Sequence, residues 1–240
     1  MNSDNVFIRT EMLIGSDNLN KLKNSYIAIF GLGGVGGYVF EALVRSGVKN
    51  FDLFDNDVVD KTNLNRQILA LTNNIGKNKV EVAKERGLAI NPDANINTYN
   101  MFVLRTNIDQ IDFKKYDYVV DAIDTVDGKL AIILEANKHN ISVISSMGTG
   151  NKLNPLELKV KDIYQTKKCP LAKVMRKELK KLGVKNLKVC YSEEDVKPCK
   201  IANPPVKNNG RPTPSSIAFV PSTAGLIIAS EIVKDIINMK

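Results

Sequence analysis

Residues 26–55 read YIAIFGLGGVGGYVFEALVRSGVKNFDLFD, and most of the architecture can be inferred from them. The β-branched and aromatic run 26–30 is typical of a buried strand, and the glycines directly after it follow the spacing G-x-G-x-x-G. Residues 37–46 predict a helix, and residues 51–55 predict a second strand. This order predicts a Rossmann-like, mostly parallel α/β sheet that holds a nucleotide at its glycine turn.

The glycine turn predicts a phosphate-binding site. Glycine lets the backbone turn tightly and approach a pyrophosphate, and the free N–H groups at the start of the next helix favour negative charge. Asp55 ends the second strand, where an acidic side chain commonly accepts hydrogen bonds from a ribose. The predicted nucleotide-binding residues of this unit are Gly31, Gly33, Gly34, Gly36 and Asp55.

The residues after this unit alternate between helix and strand patterns, as a parallel sheet requires. These patterns predict helices at 77–90 and 126–139, and strands near 95–99, 116–121 and 141–146. Ligands of open α/β sheets lie beyond the carboxyl ends of the strands. We therefore expect the glycine turn, Asp55, Asp124 and residues 146–148 to meet in one crevice.

The pattern changes after residue 150. We expect an N-terminal arm at 1–25, an adenylation core at 26–150 and a C-terminal part at 151–240 that completes the same domain. In the C-terminal part, the sequence predicts a strand at 156–160 and a helix at 170–182. A mobile Pro/Asn/Lys-rich loop is expected at 197–214. A strand at 216–220 and a helix at 222–239, capped by Ser222, are predicted to follow.

The predicted 170–182 helix is amphipathic. Its apolar face comprises Leu171, Val174, Met175, Leu179 and Leu182. The other side carries Lys173, Arg176, Lys177, Lys180 and Lys181, and the neighbouring chain adds Lys167, Lys168, Lys185 and Lys188. With a net charge of +8 for the whole chain, this basic face is a candidate surface for an anionic partner, although a solvated helix face is an equally good interpretation.

Composition bounds the class of protein. With 43% hydrophobic and 25% charged residues, the 240-residue chain resembles an ordinary globular protein, and its first residues do not have the pattern of a signal peptide. The cysteines at 169, 190 and 199 form no C-x-x-C pair, which makes a zinc site improbable and favours reduced thiols. We expect a cytoplasmic location, with peripheral membrane association left open.

Five short elements occur in a specific order: R-x-x-x-L-x-G at 9–15, G-x-G-x-x-G at 31–36, D-x-D-x-V-x-x-x-N-x-x-R-Q at 55–67, G-x-x-K at 76–79 and D-x-x-D at 121–124. Together they resemble the ubiquitin-E1-like adenylating enzymes of the ThiF/MoeB/HesA family. These enzymes activate a carboxylate with ATP. The resemblance therefore implies ATP and Mg²⁺ as cofactors and a homodimer as the assembly.

The resemblance also implies roles for individual residues. Asn63, Arg66 and Lys79 would contact the triphosphate, and Asp124 would bind Mg²⁺. Arg9 would reach the site of the partner subunit as an arginine finger. Asp57 belongs to the implied nucleotide-binding set, but like Asp60 and Asp127 it is also typical of a local turn or capping acid. The single histidine, His139, ends a predicted helix and is expected to interact with the helix dipole.

Three segments of the last third, at 169–179, 189–194 and 219–226, resemble one branch of this family, the tRNA threonylcarbamoyladenosine dehydratases. That branch implies ATP-dependent cyclisation of the threonylcarbamoyl group on adenosine 37 of tRNA. The basic 170–182 helix would then face the tRNA backbone. Cys169 or Cys190 could accept sulfur from a cysteine desulfurase system, although an inert buried thiol is the simpler interpretation of each.

Three other functions compete with this one. An adenylyltransferase for a ubiquitin-like sulfur-carrier protein is the main alternative, although such enzymes usually carry two C-x-x-C pairs that this chain lacks. A dehydrogenase that binds NAD would explain the glycine turn and leave Asn63, Arg66 and Lys79 unexplained. A non-catalytic docking protein on the same scaffold is the third.

Overall fold

The computed structural model describes residues 6–201 and 213–239. Its strands, in chain order, are β1 (Tyr26–Phe30), β2 (Asn50–Phe54), β3 (Asn95–Tyr99), β4 (Tyr118–Asp121), β5 (Ser142–Ser146), β6 (Leu158–Asp162) and β7 (Lys188–Ser192). The helices are α1 (Ile8–Ile14), α2 (Ser16–Asn24), α3 (Gly36–Arg45), α4 (Lys79–Ile90), α5 (Val126–Lys138), α6 (Pro170–Lys181) and α7 (Phe219–Ile236).

The strands form one seven-stranded sheet in the order β3-β2-β1-β4-β5-β7-β6. Every neighbouring pair is parallel except β6 and β7. The mostly parallel α/β sheet predicted from the sequence is therefore confirmed. Because β1 pairs with both β2 and β4, the strand order reverses beside the glycine turn, which is the position where such sheets bind their ligands.

Helices cover both faces of the sheet, as a parallel sheet requires. Alternation along β1 places Ile27 and Ile29 against α3, α4 and α7, whereas Ala28 and Phe30 point to the opposite side. On that opposite side, α5 contributes to two apolar clusters and α6 to one of them. None of the helices in residues 6–201 and 213–239 has both the length and the apolar character needed to cross a bilayer.

The C-terminal part differs from the sequence prediction in three ways. The predicted strand at 216–220 is wrong, because residues 216–218 form no strand and α7 begins at Phe219. Ser222 is therefore inside the helix and does not cap it; Pro221 lies in the first turn, where its missing N–H costs no hydrogen bond. The strand β7 is absent from the prediction. Much of the predicted loop, residues 202–212, lies outside the described residues.

Helix α6 matches its predicted position, and its predicted apolar face is only partly correct. Met175 and Leu179 are buried, whereas Val174 is 45% exposed and Leu182 is 40% exposed. Ala172 is buried in their place. The helix is thus turned so that a narrow stripe faces the core, and its remaining surface faces solvent.

Candidate active site

A cleft of about 640 Å³ lies at the carboxyl ends of the central strands. It is lined by most of the residues singled out from the sequence, namely Gly31, Gly33, Gly34, Asp55, Asp57, Asn63, Arg66, Lys79, Asp124 and residues 146–148. The strand-end rule therefore brings together residues that are far apart in the chain. Gly36 and Arg9 are not among the lining residues.

The glycine turn is shaped by two close approaches of backbone to backbone. Gly31 has a φ of +90°, and a Cβ atom there would lie 2.8 Å from the carbonyl oxygen of Ala122. A Cβ atom on Gly36 would collide with the carbonyl oxygen of Gly31. Gly33 is different, since its nearest neighbour would be the Gln67 side chain at 4.0 Å. Gly31 and Gly36 thus build the turn, and Gly33 leaves space open in the cleft.

Asp55 connects the glycine turn to the loop after β2. One carboxylate oxygen accepts a hydrogen bond from the backbone N–H of Leu32 at 2.6 Å, and the other accepts from the N–H of Asp57 at 2.8 Å. Burial raises the pKa of the Asp55 carboxyl above its ordinary value. Each oxygen keeps a second lone pair, so the side chain can still accept hydrogen bonds from sugar hydroxyls.

Two cationic side chains reach the cleft in different ways. The Lys79 ammonium lies 2.7 Å from the Asp57 carboxylate. The Arg66 guanidinium donates to the carbonyl oxygen of Thr62 at 2.9 Å and to the side-chain oxygen of Asn65 at 3.0 Å. Burial lowers the pKa of Arg66, and no carboxylate in the described part of the chain pairs with it. Arg66 is therefore a partly desolvated cation available to an anionic ligand.

Local hydrogen bonds hold Asn63 beside these cations. Its side-chain oxygen accepts from the backbone N–H of Asp60 at 3.1 Å, and the Asp60 carboxylate accepts from the N–H of Thr62 at 2.7 Å. The sequence prediction of Asp60 as a capping acid is confirmed. Asp127, which the sequence predicted as a turn or capping acid, instead pairs at 3.2 Å with Arg105, which is 22 residues away in the chain.

A buried ion network supports the floor of the cleft and could not be foreseen from the sequence. The side chains of Lys129 and Asp121 are both fully buried, and the ammonium lies 3.1 Å from each carboxylate oxygen. The same ammonium donates to the carbonyl oxygen of Ser146 at 2.7 Å. Lys129 therefore joins the ends of β4 and β5, from which Asp124 and residues 146–148 enter the cleft.

Two further residues of the cleft have no role assigned by the sequence. Gln67 and Thr125 each have a buried side-chain oxygen without a hydrogen-bond partner in residues 6–201 and 213–239. Both residues line the cleft. A buried acceptor without a donor is costly, so these oxygens are candidate contacts for a ligand or an ordered water. Gln67 belongs to the recognised motif, but spacing alone does not show that its oxygen is buried.

The remaining candidates lie elsewhere. Arg9 is exposed on α1, and His139 lies 3.0 Å from Glu135 near the end of α5. Cys169 and Cys190 are both buried, and burial raises the pKa of the Cys190 thiol to about 12. Cys199 is exposed. A thiol with a raised pKa is a poor nucleophile, which favours the interpretation of Cys190 as a packing residue.

Comparison with known proteins identifies the architecture. A model described as the ThiF family matches residues 8–240. A tRNA threonylcarbamoyladenosine dehydratase of Bacillus subtilis is 41% identical over 241 residues, covering 97% of this chain and 94% of the relative.

Two solved structures of the Escherichia coli tRNA N6-threonylcarbamoyladenosine dehydratase, TcdA, are also similar. They have TM-scores of 0.88 and 0.87 at 31% identity, and they cover 97% of this chain and 94% and 93% of their own. The first contains AMP and the second contains ATP.

Proposed function

The chain belongs to the ThiF family, and we propose that it is an ATP-dependent tRNA threonylcarbamoyladenosine dehydratase. The reaction closes a ring in the threonylcarbamoyl group of adenosine 37. A threonyl carboxylate oxygen attacks the α-phosphorus of ATP, and pyrophosphate leaves. The carbamoyl group of the same side chain then attacks the activated carbonyl, and AMP leaves with the carboxylate oxygen. The net change in the tRNA is the loss of one water.

The observation that carries this proposal is the gathering of Asn63, Arg66 and Lys79 beside the glycine turn and Asp55 in one cleft. Attack at phosphorus builds negative charge on the phosphate oxygens and on the leaving pyrophosphate, and fixed cations stabilise that charge. Asp55 would hold the ribose. The second step is intramolecular, so its high effective molarity removes the need for a protein nucleophile.

We propose that Asp124 contributes to a Mg²⁺ site at the phosphates. Its carboxylate is a hard oxygen ligand and lines the cleft. Among the described residues, no group of three or more His, Cys, Asp or Glu side chains could hold a metal ion by itself. This fits Mg²⁺, which is commonly held by one or two carboxylates, water and the phosphates of a substrate. The ion would neutralise charge on the triphosphate.

We infer that the active form is a homodimer in which Arg9 enters the partner subunit's cleft. Support comes from the position of Arg9 on α1, outside the cleft of its own subunit, and from its neighbours Met12 and Leu13, which are 75% and 83% exposed. Exposed apolar side chains that lie next to each other commonly mark contact surfaces. We also propose a cytoplasmic location. A cysteine desulfurase or sulfur-acceptor system is a further proposed partner, and Cys199 is the only exposed thiol among the described residues.

The decisive experiment incubates the protein with ATP, Mg²⁺ and tRNA carrying threonylcarbamoyladenosine, followed by mass spectrometry of the nucleosides. We expect the modified adenosine to lose the mass of one water, and only when ATP is present. Lys79→Met should slow the change by about 10²–10³, and Lys77→Met, at an exposed position outside the cleft, should not. An unchanged nucleoside, together with adenylation of a small carrier protein ending in Gly-Gly, would overturn the proposal.

A further inference from the structure

We propose that three lysines on the exposed face of α6 bind the phosphate backbone of the tRNA substrate. This α6 lysine surface consists of Lys173, Lys177 and Lys180. The inference rests on the proposed function for the identity of the RNA, and it adds which side of the cleft the RNA approaches.

The basic residues in and beside α6 differ in their contacts. Lys167 and Lys185 are exposed and have no ion pair among the described residues, but they lie outside the helix. Four are already engaged: Arg176 donates to the carbonyl oxygen of Thr166 at 3.0 Å, Lys168 pairs with Asp195 at 3.0 Å, Lys181 with Glu178 at 2.9 Å and Lys188 with Asp235 at 2.7 Å.

The members of the α6 lysine surface are all exposed, and they form no ion pair with any residue in the described ranges. Their charges are therefore available to a partner. Of the broad basic face predicted from the sequence, only the α6 lysine surface is therefore proposed to contact the RNA.

The spacing of the three lysines is that of one helical face. Positions i, i+4 and i+7 of a helix lie above one another, so Lys173, Lys177 and Lys180 project from the same side of α6. At a rise of about 1.5 Å per residue, the stripe extends roughly 10 Å along the helix axis. Flexible ammonium groups in a row of this length suit a chain of phosphates, whereas they offer no planar fork for a bidentate carboxylate.

The surface is continuous with the cleft. Cys169, Pro170 and Leu171 line the cleft and are followed at once by α6. With the helix rise of about 1.5 Å per residue, Lys173 lies roughly 5 Å and Lys180 roughly 15 Å along the axis from Pro170. An adenosine held in the cleft would therefore have its flanking phosphates beside the first lysine, and phosphates further along the RNA would follow the stripe outward.

The backbone of α6 is held firmly in place, so the three positions from which the lysine side chains project are fixed. Ala172, Met175 and Leu179 are fully buried in a cluster that also contains Val189 and Tyr191 of β7. These residues occupy the face of α6 opposite to the lysines. A preorganised surface pays less entropy when it binds, which increases the affinity that three phosphate contacts provide.

Salt dependence provides the test, because each neutralised phosphate releases counterions and steepens the fall of affinity with salt. The test variant is Lys173→Gln/Lys177→Gln/Lys180→Gln. The matched control is Lys21→Gln/Lys84→Gln/Lys114→Gln, which removes the same charge from α2, α4 and the turn before β4. These control lysines lie outside the cleft and have no ion pair within the described structure. Binding to threonylcarbamoyl-modified tRNA is measured at several salt concentrations.

We expect the α6 variant to bind at least about tenfold more weakly at physiological salt and to lose about two from the slope of log affinity against log salt. The control should change neither value appreciably, and thermal unfolding with and without ATP, measured without tRNA, should show that both variants are folded and bind the nucleotide. Equal affinities and slopes for the α6 variant and the control would overturn the proposal. So would weaker binding of an acidic protein with unchanged binding of tRNA.

Failure of the proposed function gives a different result. If the wild-type protein binds the modified tRNA but never removes water from it, the dehydratase proposal fails, and the comparison of affinities still reports on the α6 lysine surface. If water is removed and the two triple variants bind alike, the dehydratase proposal stands and the surface proposal fails.

Discussion

The ammonium of Lys79 lies 2.7 Å from the carboxylate of Asp57, although the lysine side chain is only 5% exposed and the aspartate is 62% exposed. An acid at the surface thus holds a buried cation at the edge of the cleft. Phosphates entering the cleft would compete with Asp57 for this cation. The ion pair therefore positions Lys79 before the nucleotide binds and gives Asp57 a supporting role.

Replacing Lys79 tests the importance of this cation. We expect Lys79→Met to reduce ATP–pyrophosphate exchange by about 10²–10³, the usual loss when one group that stabilises a developing anion is removed. Asp57→Asn should cause a smaller loss, because it leaves the cation in place and removes only its anchor. Lys77→Met is the control and should retain exchange. Normal exchange by Lys79→Met would exclude the lysine from the chemistry.

The site was predictable where a residue's role depends on its position at a strand end or in a motif. Asp55 and Asp124 follow β2 and β4, and the topology alone brings them to one edge of the sheet. Lys129 was not predictable, because a lysine three residues into a helix ordinarily faces solvent. Only the packing of α5 against the sheet shows that it is buried against Asp121.

The errors in the C-terminal part have a similar physical origin. The run at 216–220 has the composition of a strand, but packing of the next residues against α3 extends the helix to Phe219. Gly225 permits this packing, because a Cβ atom there would lie 2.6 Å from the carbonyl oxygen of Val35. Tertiary contacts of this kind override local propensity and leave little trace in the sequence.

The glycine turn offers a pair of substitutions with opposite consequences. Gly36→Ala should destabilise the protein by several kcal/mol, because its Cβ atom would collide with the backbone of Gly31, which cannot move aside. Gly33→Ala has space for its methyl group and should unfold near the wild-type temperature. It should nevertheless bind ATP more weakly, since the methyl group occupies part of the cleft. Thermal unfolding with and without ATP measures both effects.

If Gly33→Ala gained as much thermal stability from added ATP as the wild type does, this glycine would have no part in binding the nucleotide. A wild-type unfolding temperature for Gly36→Ala would contradict the backbone packing described above.

Asp52 gives a pH-dependent prediction about stability. It is fully buried in β2, and burial alone would raise its pKa, but hydrogen bonds hold the pKa below its usual value. The donors are Lys115 and Tyr116, each at 2.6 Å, together with Tyr26 and Asn97. A depressed carboxyl pKa contributes stability above the unfolded value of about 4, and this contribution disappears as the pH falls through the folded value.

Tyr116→Phe should therefore lower the free energy of unfolding by about 1–3 kcal/mol at pH 7, because the buried carboxylate loses a donor. The difference from the wild type should shrink as the pH falls through the depressed folded pKa of Asp52, where protonation removes the charge in both proteins. Urea unfolding across this range measures it. Tyr99→Phe is the matched control, since the Tyr99 ring stacks on Phe54 and its hydroxyl has no hydrogen bond to any described residue. Equal losses in the two variants would contradict this account.

The cysteines should differ in their reactivity. In the native protein at pH 8 we expect iodoacetamide to modify Cys199 and to spare Cys169 and Cys190, because both of the latter are buried and the pKa of Cys190 is raised to about 12. All three should react in denaturant. Peptide mass spectrometry distinguishes the sites, and rapid native alkylation of Cys190 would restore it as a candidate sulfur acceptor.

Mixed dimers test whether Arg9 acts on the partner subunit. Arg9→Ala and Lys79→Met should each be inactive alone, the first because the partner's cleft lacks its arginine and the second because its own cleft lacks a cation. In a mixed dimer, the Arg9→Ala subunit keeps Lys79 and receives the intact Arg9 of the Lys79→Met subunit. Equal mixing with subunit exchange should restore about a quarter of the active sites, since half of the dimers are mixed and each has one complete site. Activity that stays absent in a mixture shown to exchange subunits would place Arg9 outside the partner's cleft.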